Sequence, residues 1–215
     1  IGTKGYVPKE AMVLAMYVAH SRDDGALQTL EEHLTGTAEL AAEFGDAFVA
    51  AEWARTIGLH HDLGKSSPAF QRRILKNGPK VDHSTAGAIE VFKHCKMIGA
   101  YCVMGHHGQI PDGGTKLDAS DLPTLCGRMR RTNLACDTSV LDAFSFQALA
   151  ELQLREPLPQ AFRIAMFIRM LTSCLVDADR LDTERYANHG ELNRGGYDDI
   201  ATLHERLAAH LARFG

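Results

Sequence analysis

Apolar positions recur along most of this chain at the three- and four-residue spacing of amphipathic helices, and strict alternation is scarce. Thr29 opens one helical stretch, with Glu32 three residues on in the pattern of a capping box. Leu30, Leu34, Ala38 and Ala41 form its inner stripe, and Gly45 ends it. Asp46 is placed to cap the next helix, which carries Val49, Trp53 and Ile57 on one face, runs to His60-His61-Asp62 and stops near Gly64. Ser67-Pro68 reads as an N-cap followed by a first-turn proline, so a short basic helix extends to Lys76, where Asn77-Gly78-Pro79 breaks it. Asp82 starts another helical stretch through Cys95, and an apolar run from Met97 to Met104 leads into Gly105-His106-His107-Gly108. Pro111 to Gly114 is a loop, and Leu122 to Arg131 a basic helix. The longest pattern runs from Gln160 to Leu181, with Ile164, Ile168, Leu171 and Leu175 on one stripe. A last amphipathic helix covers the tail from Tyr197 to Phe214, and only Met12 to Val18 tolerates a strand. The expected fold class is all-α, a compact helical bundle.

Length fits one sizeable domain over 1–215, with its core at about 19–182 and a helical tail at 197–214. A chain of this size buries roughly 70% of its unfolded surface and needs no staple. Apolar residues at 45% and charged residues at 23% exclude disordered and low-complexity classes. No apolar run reaches the roughly 18 residues of a membrane span, so no membrane partner is expected. The first residue is Ile1 rather than Met, so either the true start or a longer parent chain is expected to be missing. Five scattered cysteines without a CxxC pair indicate buried thiols in a reducing, cytoplasmic compartment. With 23 Lys and Arg against 27 Asp and Glu, the net charge of −4 excludes a general polycation. Nucleic acid would have to be met by a local basic strip: Arg72, Arg73, Lys76 and Lys80, or Arg128, Arg130 and Arg131.

Histidine is the unusual component, at eleven residues. Imidazole nitrogen and carboxylate oxygen are both ligands for first-row metals, and His61-Asp62 at a helix end offers both. An HD dipeptide alone is equally a favourable helix C-terminus. His33 on the preceding helix, His83 at a helix start and His106-His107 between glycines enlarge the set. Asp177, Asp179 and Asp182 stand at the end of the longest apolar helix, where a carboxylate needs a partner. Five histidines and two aspartates suffice for two metal ions sharing a carboxylate. Gly64-Lys65-Ser66 imitates the end of a phosphate-binding P-loop, but position 59 is Leu59 rather than glycine and no strand precedes it, which excludes ATP binding there. Lys65 is instead placed as a phosphate neighbour beside the metals.

These residues resemble the HD superfamily of metal-dependent phosphohydrolases. More narrowly, the chain is similar to the HD nuclease of type I CRISPR systems, fused to a helicase or separate from it. The similarity rests on Ala19-His20-Ser21, Leu30-Glu31-Glu32-His33-Leu34, His60-His61-Asp62-Leu63-Gly64-Lys65 and Pro68-Ala69-Phe70-Gln71. It continues through Asp82-His83-Ser84-Thr85-Ala86-Gly87-Ala88, Gly105-His106-His107-Gly108 and Val176-Asp177-Ala178-Asp179-Arg180-Leu181-Asp182, in the family's order. The double histidine followed by glycine and a Pro-Asp loop is the more specific element. The resemblance implies that His33, His61, Asp62 and a late aspartate hold one metal, and that Asp62 bridges to a second held by His83, His106 and His107. The family's Ala-Asp-basic pattern selects Asp179, and helical spacing from Leu175 agrees, whereas Asp177 continues the Met170–Cys174 face.

The implied chemistry is phosphodiester hydrolysis of single-stranded DNA with metal-activated water, Asp62 and Lys65 being the catalytic candidates. The cofactors would be divalent ions, two in number, among Mn, Fe, Co, Ni, Zn or Mg. The implied partners are a CRISPR helicase, fused or separate, and a guide-RNA effector complex. The chain carries no helicase motif, so it is the separate subunit or an excised domain. Two other readings compete. One is an HD phosphohydrolase of nucleotides or cyclic dinucleotides, whose signature after the paired histidines has an acidic residue and a Gly-Tyr-Pro turn where this chain reads Gly108-Gln109-Ile110-Pro111-Asp112-Gly113-Gly114. The other is a non-catalytic docking module with a structural metal.

Overall fold

The computed structural model describes residues 17–132, 134–149, 159–190, 196 and 198–214. The elements in chain order are β1 (Val18–Ser21), β2 (Leu27–Thr29), α1 (Leu30–Asp46), α2 (Ala51–His60), α3 (Pro68–Lys76), α4 (Ser84–Gly105), α5 (Leu125–Arg128), α6 (Gln160–Ala187) and α7 (Ile200–Leu211). Short 3-10 turns cover Leu63–Ser66 and Thr138–Ala143. The fold is all-α apart from an antiparallel pair of short strands, with Val18 opposite Thr29 and Ser21 opposite Leu27. The strand expected at Met12 to Val18 falls outside the described residues up to position 16. The first strand described begins at Val18, and β2 carries too few residues to show an alternation.

The helices begin where local chemistry supplies caps. The Thr29 hydroxyl accepts from the Glu32 amide at 3.1 Å while the Glu32 carboxylate accepts from the Thr29 amide at 2.9 Å, completing the capping box of α1. The Ser67 hydroxyl accepts from the Phe70 amide with Pro68 in the first turn, and Asn77 closes α3 in the left-handed region at φ 52°.

The expected break at Gly45 and cap at Asp46 are corrected. Helix α1 continues through Asp46, and α2 starts at Ala51 without a side-chain cap. Gly45 serves close packing rather than termination: a Cβ there would lie 2.9 Å from both the Ala50 carbonyl oxygen and the Ala54 Cβ. Gly58 does the same against the Ala38 backbone at 2.7 Å. Small residues thus let α1 and α2 cross closely, which brings His33 toward His61.

The range called α4 is two helical stretches that meet at a kink at Lys96, with φ 51° and ψ −146°, where the sequence divides them. The helix expected over Leu122–Arg131 shrinks to Leu125–Arg128. Pro123 precedes its Thr124 cap, and Gly127 lies so close to the Ala119 and Leu122 carbonyls that a Cβ would come within 2.8 Å of each. The main core joins α1, α2, α4 and α6 through Ala41, Ile57, Val91, Val103, Leu171 and Leu175. Helix α7 buries none of its residues, so its apolar positions Ile200, Leu203, Leu207 and Leu211 stay exposed. No helix among the described residues is long and apolar enough to cross a membrane. All five cysteines are free thiols; Cys95, Cys102 and Cys174 are buried.

Candidate metal centre

The end of α2, the start of α4, the end of α4 and the middle of α6 converge on one side chain, Asp62. It is fully buried, as are His33 and His61. Its two oxygens face different neighbours. Oδ2 lies 3.2 Å from His33 Nε2, 3.3 Å from His61 Nε2 and 2.7 Å from Lys65 Nζ. Oδ1 lies 3.2 Å from His83 Nε2, 3.4 Å from His106 Nε2 and 4.0 Å from His107 Nε2. Asp179 joins the first group, its Oδ1 standing 3.3 Å from His33 Nε2 and 3.7 Å from His61 Nε2. Asp177 is exposed, and among the described residues it belongs to no such group. All seven residues expected as ligands therefore meet in one place.

The ring orientations are set from behind. His61 Nδ1 donates to the Gly58 carbonyl at 2.7 Å and His106 Nδ1 to the Val103 carbonyl at 2.6 Å. Each hydrogen bond keeps the proton on Nδ1 and aims Nε2 inward, where a lone pair is available once Nε2 is deprotonated. Gly87 packs against the His60 carbonyl, where a Cβ would lie 2.0 Å away, so the start of α4 sits close against the end of α2.

Carboxylates and imidazoles shift one another strongly. Burial would depress the His33 pKa, but the hydrogen bonds it donates to Asp179, Asp182 and Asp62 raise it to about 10. His61 is likewise raised to about 9: burial lowers it, and the charges of Asp62 and Asp179 outweigh burial. Burial favours the neutral form of Asp62, yet the charges of Lys65 and His61 hold its pKa well below the usual carboxylate range. Asp179 is lowered too, by His33 and His61 against the effect of burial. His107 moves the other way, down to about 4, through burial and the neighbouring His106.

The donor set fits a divalent cation. The Nε2 atoms of His61 and His106 and Oδ1 of Asp62 are buried, with no aligned hydrogen-bond partner among the described residues. The His83 and His107 Nε2 atoms lie 2.6 Å apart, where one ring donates its N–H to the other. Two groups of candidate donor atoms, each within 4.8 Å of one another, share Asp62: Asp62, His83, His106 and His107, and His20, His33, Asp62 and Asp179. Imidazole-rich sets of this kind suit transition metals.

Three contributors were not on the expected ligand set. His20 on β1 reaches the second group, its ring edge-on to His33 at 4.6 Å and its Nε2 3.0 Å from Lys65 Nζ. Burial and the charge of Lys65 lower its pKa to about 3. Asp182 stands 2.7 Å from His33 Nδ1, and Gln28 donates to it at 2.8 Å. The signal for Asp182 is in the sequence: it continues the buried stripe Ile168, Leu171, Leu175, Ala178 at helical spacing. His20 and Gln28 sit on strands too short to announce which face they present.

Lys65 is almost fully buried, and its ammonium is held by Asp62, His20 and the Ala19 carbonyl. A cleft of about 810 Å³ opens beside it, lined among others by His20, Phe70, Arg73, Lys80, His83 and His107. Arg73 and Lys80 contribute cations there without a carboxylate partner among the described residues. The second basic cluster is used differently. Arg131 pairs with Asp82 at 2.6 Å, and Arg128 reaches Asp82 at 3.2 Å and the Ser84 hydroxyl at 2.7 Å. Those arginines staple α5 and the residues just after it to the start of α4, because Asp82 also accepts from the Thr85 amide there.

A helical bundle that gathers imidazoles and carboxylates around a shared aspartate could hold divalent metal ions. The family model described as HD domain matches residues 30–147, and the chain belongs to that family. Its membership supports metal-dependent phosphohydrolase activity. The matched span contains His33, His61, Asp62, His83, His106 and His107, while Asp179 and Asp182 enter from α6 beyond it. No curated protein matches the chain.

Proposed function

We propose that this protein is a nuclease that hydrolyses phosphodiester bonds of single-stranded DNA in type I CRISPR interference, acting beside a helicase and a guide-RNA effector complex in the cytoplasm. The observation that supports it most is the pairing of Asp62, whose two oxygens face separate histidine groups, with a cleft lined by Arg73 and Lys80, which have no carboxylate partner among the described residues. In this reading His33, His61, Asp62 and Asp179 hold one divalent ion, and His83, His106 and His107 hold a second that shares Asp62. The bound ions supply Lewis acidity, which offsets phosphate charge and makes water a competent nucleophile near neutral pH.

The chain's own residues do the rest. Asp62 stays anionic because Lys65 and the imidazoles surround it. Lys65 also lines the cleft, where its charge favours the approach of a phosphate. Arg73 and Lys80 attract flanking phosphates of a strand, a pattern a mononucleotide cannot use. The wide cleft and the scarcity of exposed aromatic side chains in it suit a backbone-directed contact without base selection.

The test is direct. Metal-stripped protein is incubated with single-stranded DNA, duplex DNA, nucleotides and cyclic dinucleotides, with and without Mn²⁺. Metal-dependent cleavage of the single strand is expected. Turnover of nucleotides or cyclic dinucleotides alone would assign the site to small phosphoesters, and a metal-loaded protein inert on all four would leave a docking module.

A further inference from the structure

The inward histidines do not lean on equivalent supports. His61, His106 and His83 point their Nδ1 atoms at main-chain carbonyls, of Gly58 at 2.7 Å, Val103 at 2.6 Å and Val81 at 3.3 Å. His33 alone among these leans on a carboxylate, Asp182 Oδ2 at 2.7 Å. Asp182 is only 7% exposed, and the same oxygen accepts from Gln28 Nε2 at 2.8 Å. Its other oxygen occupies space that only glycine leaves: a Cβ on Gly36 would lie 2.1 Å from Oδ1. Residues from β2, α1 and α6 thus converge to place one acid behind one imidazole.

The charges of the two halves differ accordingly. The His33 half faces Asp62 and Asp179 and has Asp182 behind it. Lys65, against Asp62 Oδ2, offsets one of these charges. The His83 half shares Asp62 and meets Asp179 only through His106, no carboxylate stands behind its rings among the described residues, and neighbouring Asp82 is paired with Arg128 and Arg131. A carboxylate accepting from the far nitrogen of a ligand imidazole fixes the ring and raises its basicity, and removing such a partner typically weakens metal binding about 10- to 100-fold.

We propose that Asp182 is a positioning residue that makes the two halves of the metal centre unequal. Acting through His33, it causes the His33–His61–Asp179 half to take a divalent cation first and hold it more tightly than the His83–His106–His107 half. The inference rests on the two-ion reading above.

Calorimetric titration of metal-free protein with Mn²⁺ tests it, with circular dichroism and melting of the metal-free form as the check on folding. The wild type is expected to bind in two separated steps. In Asp182→Asn the amide oxygen still accepts from His33, so the ring keeps its place while the charge is lost. The first step should weaken about 10- to 100-fold and the second should not move. Gln28→Leu, which leaves the acid but removes its tether, should weaken the same step by less and serves if the first variant fails to fold. Two identical steps in the wild type, an unchanged first step in Asp182→Asn, or equal weakening of both steps would overturn this proposal and leave the metal centre standing. A wild type that binds no Mn²⁺ would overturn both.

Discussion

Lys65 Nζ stands 2.7 Å from Asp62 Oδ2, and both side chains are almost wholly withdrawn from water. A buried carboxylate left without a countercharge is costly, so the ammonium stabilises the pocket when no metal neutralises it. Lys65→Met keeps the stem and removes the charge. Protonated His33 and His61 still face Asp62, so the metal-free protein should lose less than the roughly 3 kcal/mol of a fully uncompensated buried charge, measured by denaturant unfolding. Mn²⁺ affinity should rise, because a cation competing for Asp62 is gone, while hydrolysis falls at least tenfold. A variant that binds Mn²⁺ more weakly would show that the lysine does not act as a competing cation.

Asp62→Ala removes the carboxylate common to both histidine groups. Cleavage should disappear, since neither half retains its anchor, while far-ultraviolet circular dichroism stays helical because the core of α1, α2, α4 and α6 is untouched. Activity at the wild-type level in that variant would remove the shared carboxylate from the chemistry.

Metal binding should release protons. His33, with its pKa raised to about 10, and His61, raised to about 9, are protonated at neutral pH before metal arrives. The cation must displace those protons, so affinity climbs with pH until about 10 and then levels. Titration in buffers of different ionisation enthalpy reads the release, and heats independent of buffer would contradict it. The same shifts govern the metal-free fold. A histidine raised from 6.5 contributes stability fully present below 6.5 and lost as pH rises through its folded value. The melting temperature of the metal-free protein should therefore drop between about pH 6.5 and pH 10, and bound Mn²⁺ should suppress that drop.

Asp179 and Asp177 share a helix but not a face. The helical period turns Asp179 toward His33 and leaves Asp177 exposed. Asp179→Ala should lower Mn²⁺ content, measured by elemental analysis, and Asp177→Ala should leave it unchanged. Loss of metal in the Asp177 variant alone would reverse the assignment.

The periodic pattern carried the long elements because burial repeats with the helix turn: the stripe Ile168, Leu171, Leu175 is the core face of α6. The HD pair and the double histidine stood out because their chemistry is unusual for the environment they occupy, whereas Asp179 was separated from Asp177 by the family resemblance and helical spacing. Asp182 lay on the same legible stripe, yet its partner is 149 residues away, and no local spacing connects it to His33. Arg128 and Arg131 read as free cations for a related reason: their neutralising acid, Asp82, is distant in sequence and local charge runs do not reveal it. Gly45 read as a stop when its purpose is a helix crossing, because a missing side chain has the same appearance in both uses.

The glycine of His61-Asp62-Leu63-Gly64-Lys65 has a specific spatial purpose. A Cβ on Gly64 would lie 2.1 Å from the His83 carbonyl oxygen and 2.7 Å from its Cα. Both atoms are backbone, so rotation of a side chain cannot relieve the contact. The 3-10 turn at Leu63–Ser66 is fully buried, which prevents it from moving outward as a unit. Gly64→Ala should therefore displace the start of α4 and carry His83 away from Asp62 Oδ1, now 3.2 Å from its Nε2. Overpacking of this kind costs roughly 1–3 kcal/mol, which a protein of this size tolerates in a folded state. Metal binding should lose the step assigned to the His83 half and keep the step assigned to His33. That outcome would explain the motif's glycine by the approach of a second ligand's backbone. Two undisturbed steps in a folded Gly64→Ala protein would show that the turn and α4 separate without affecting the site.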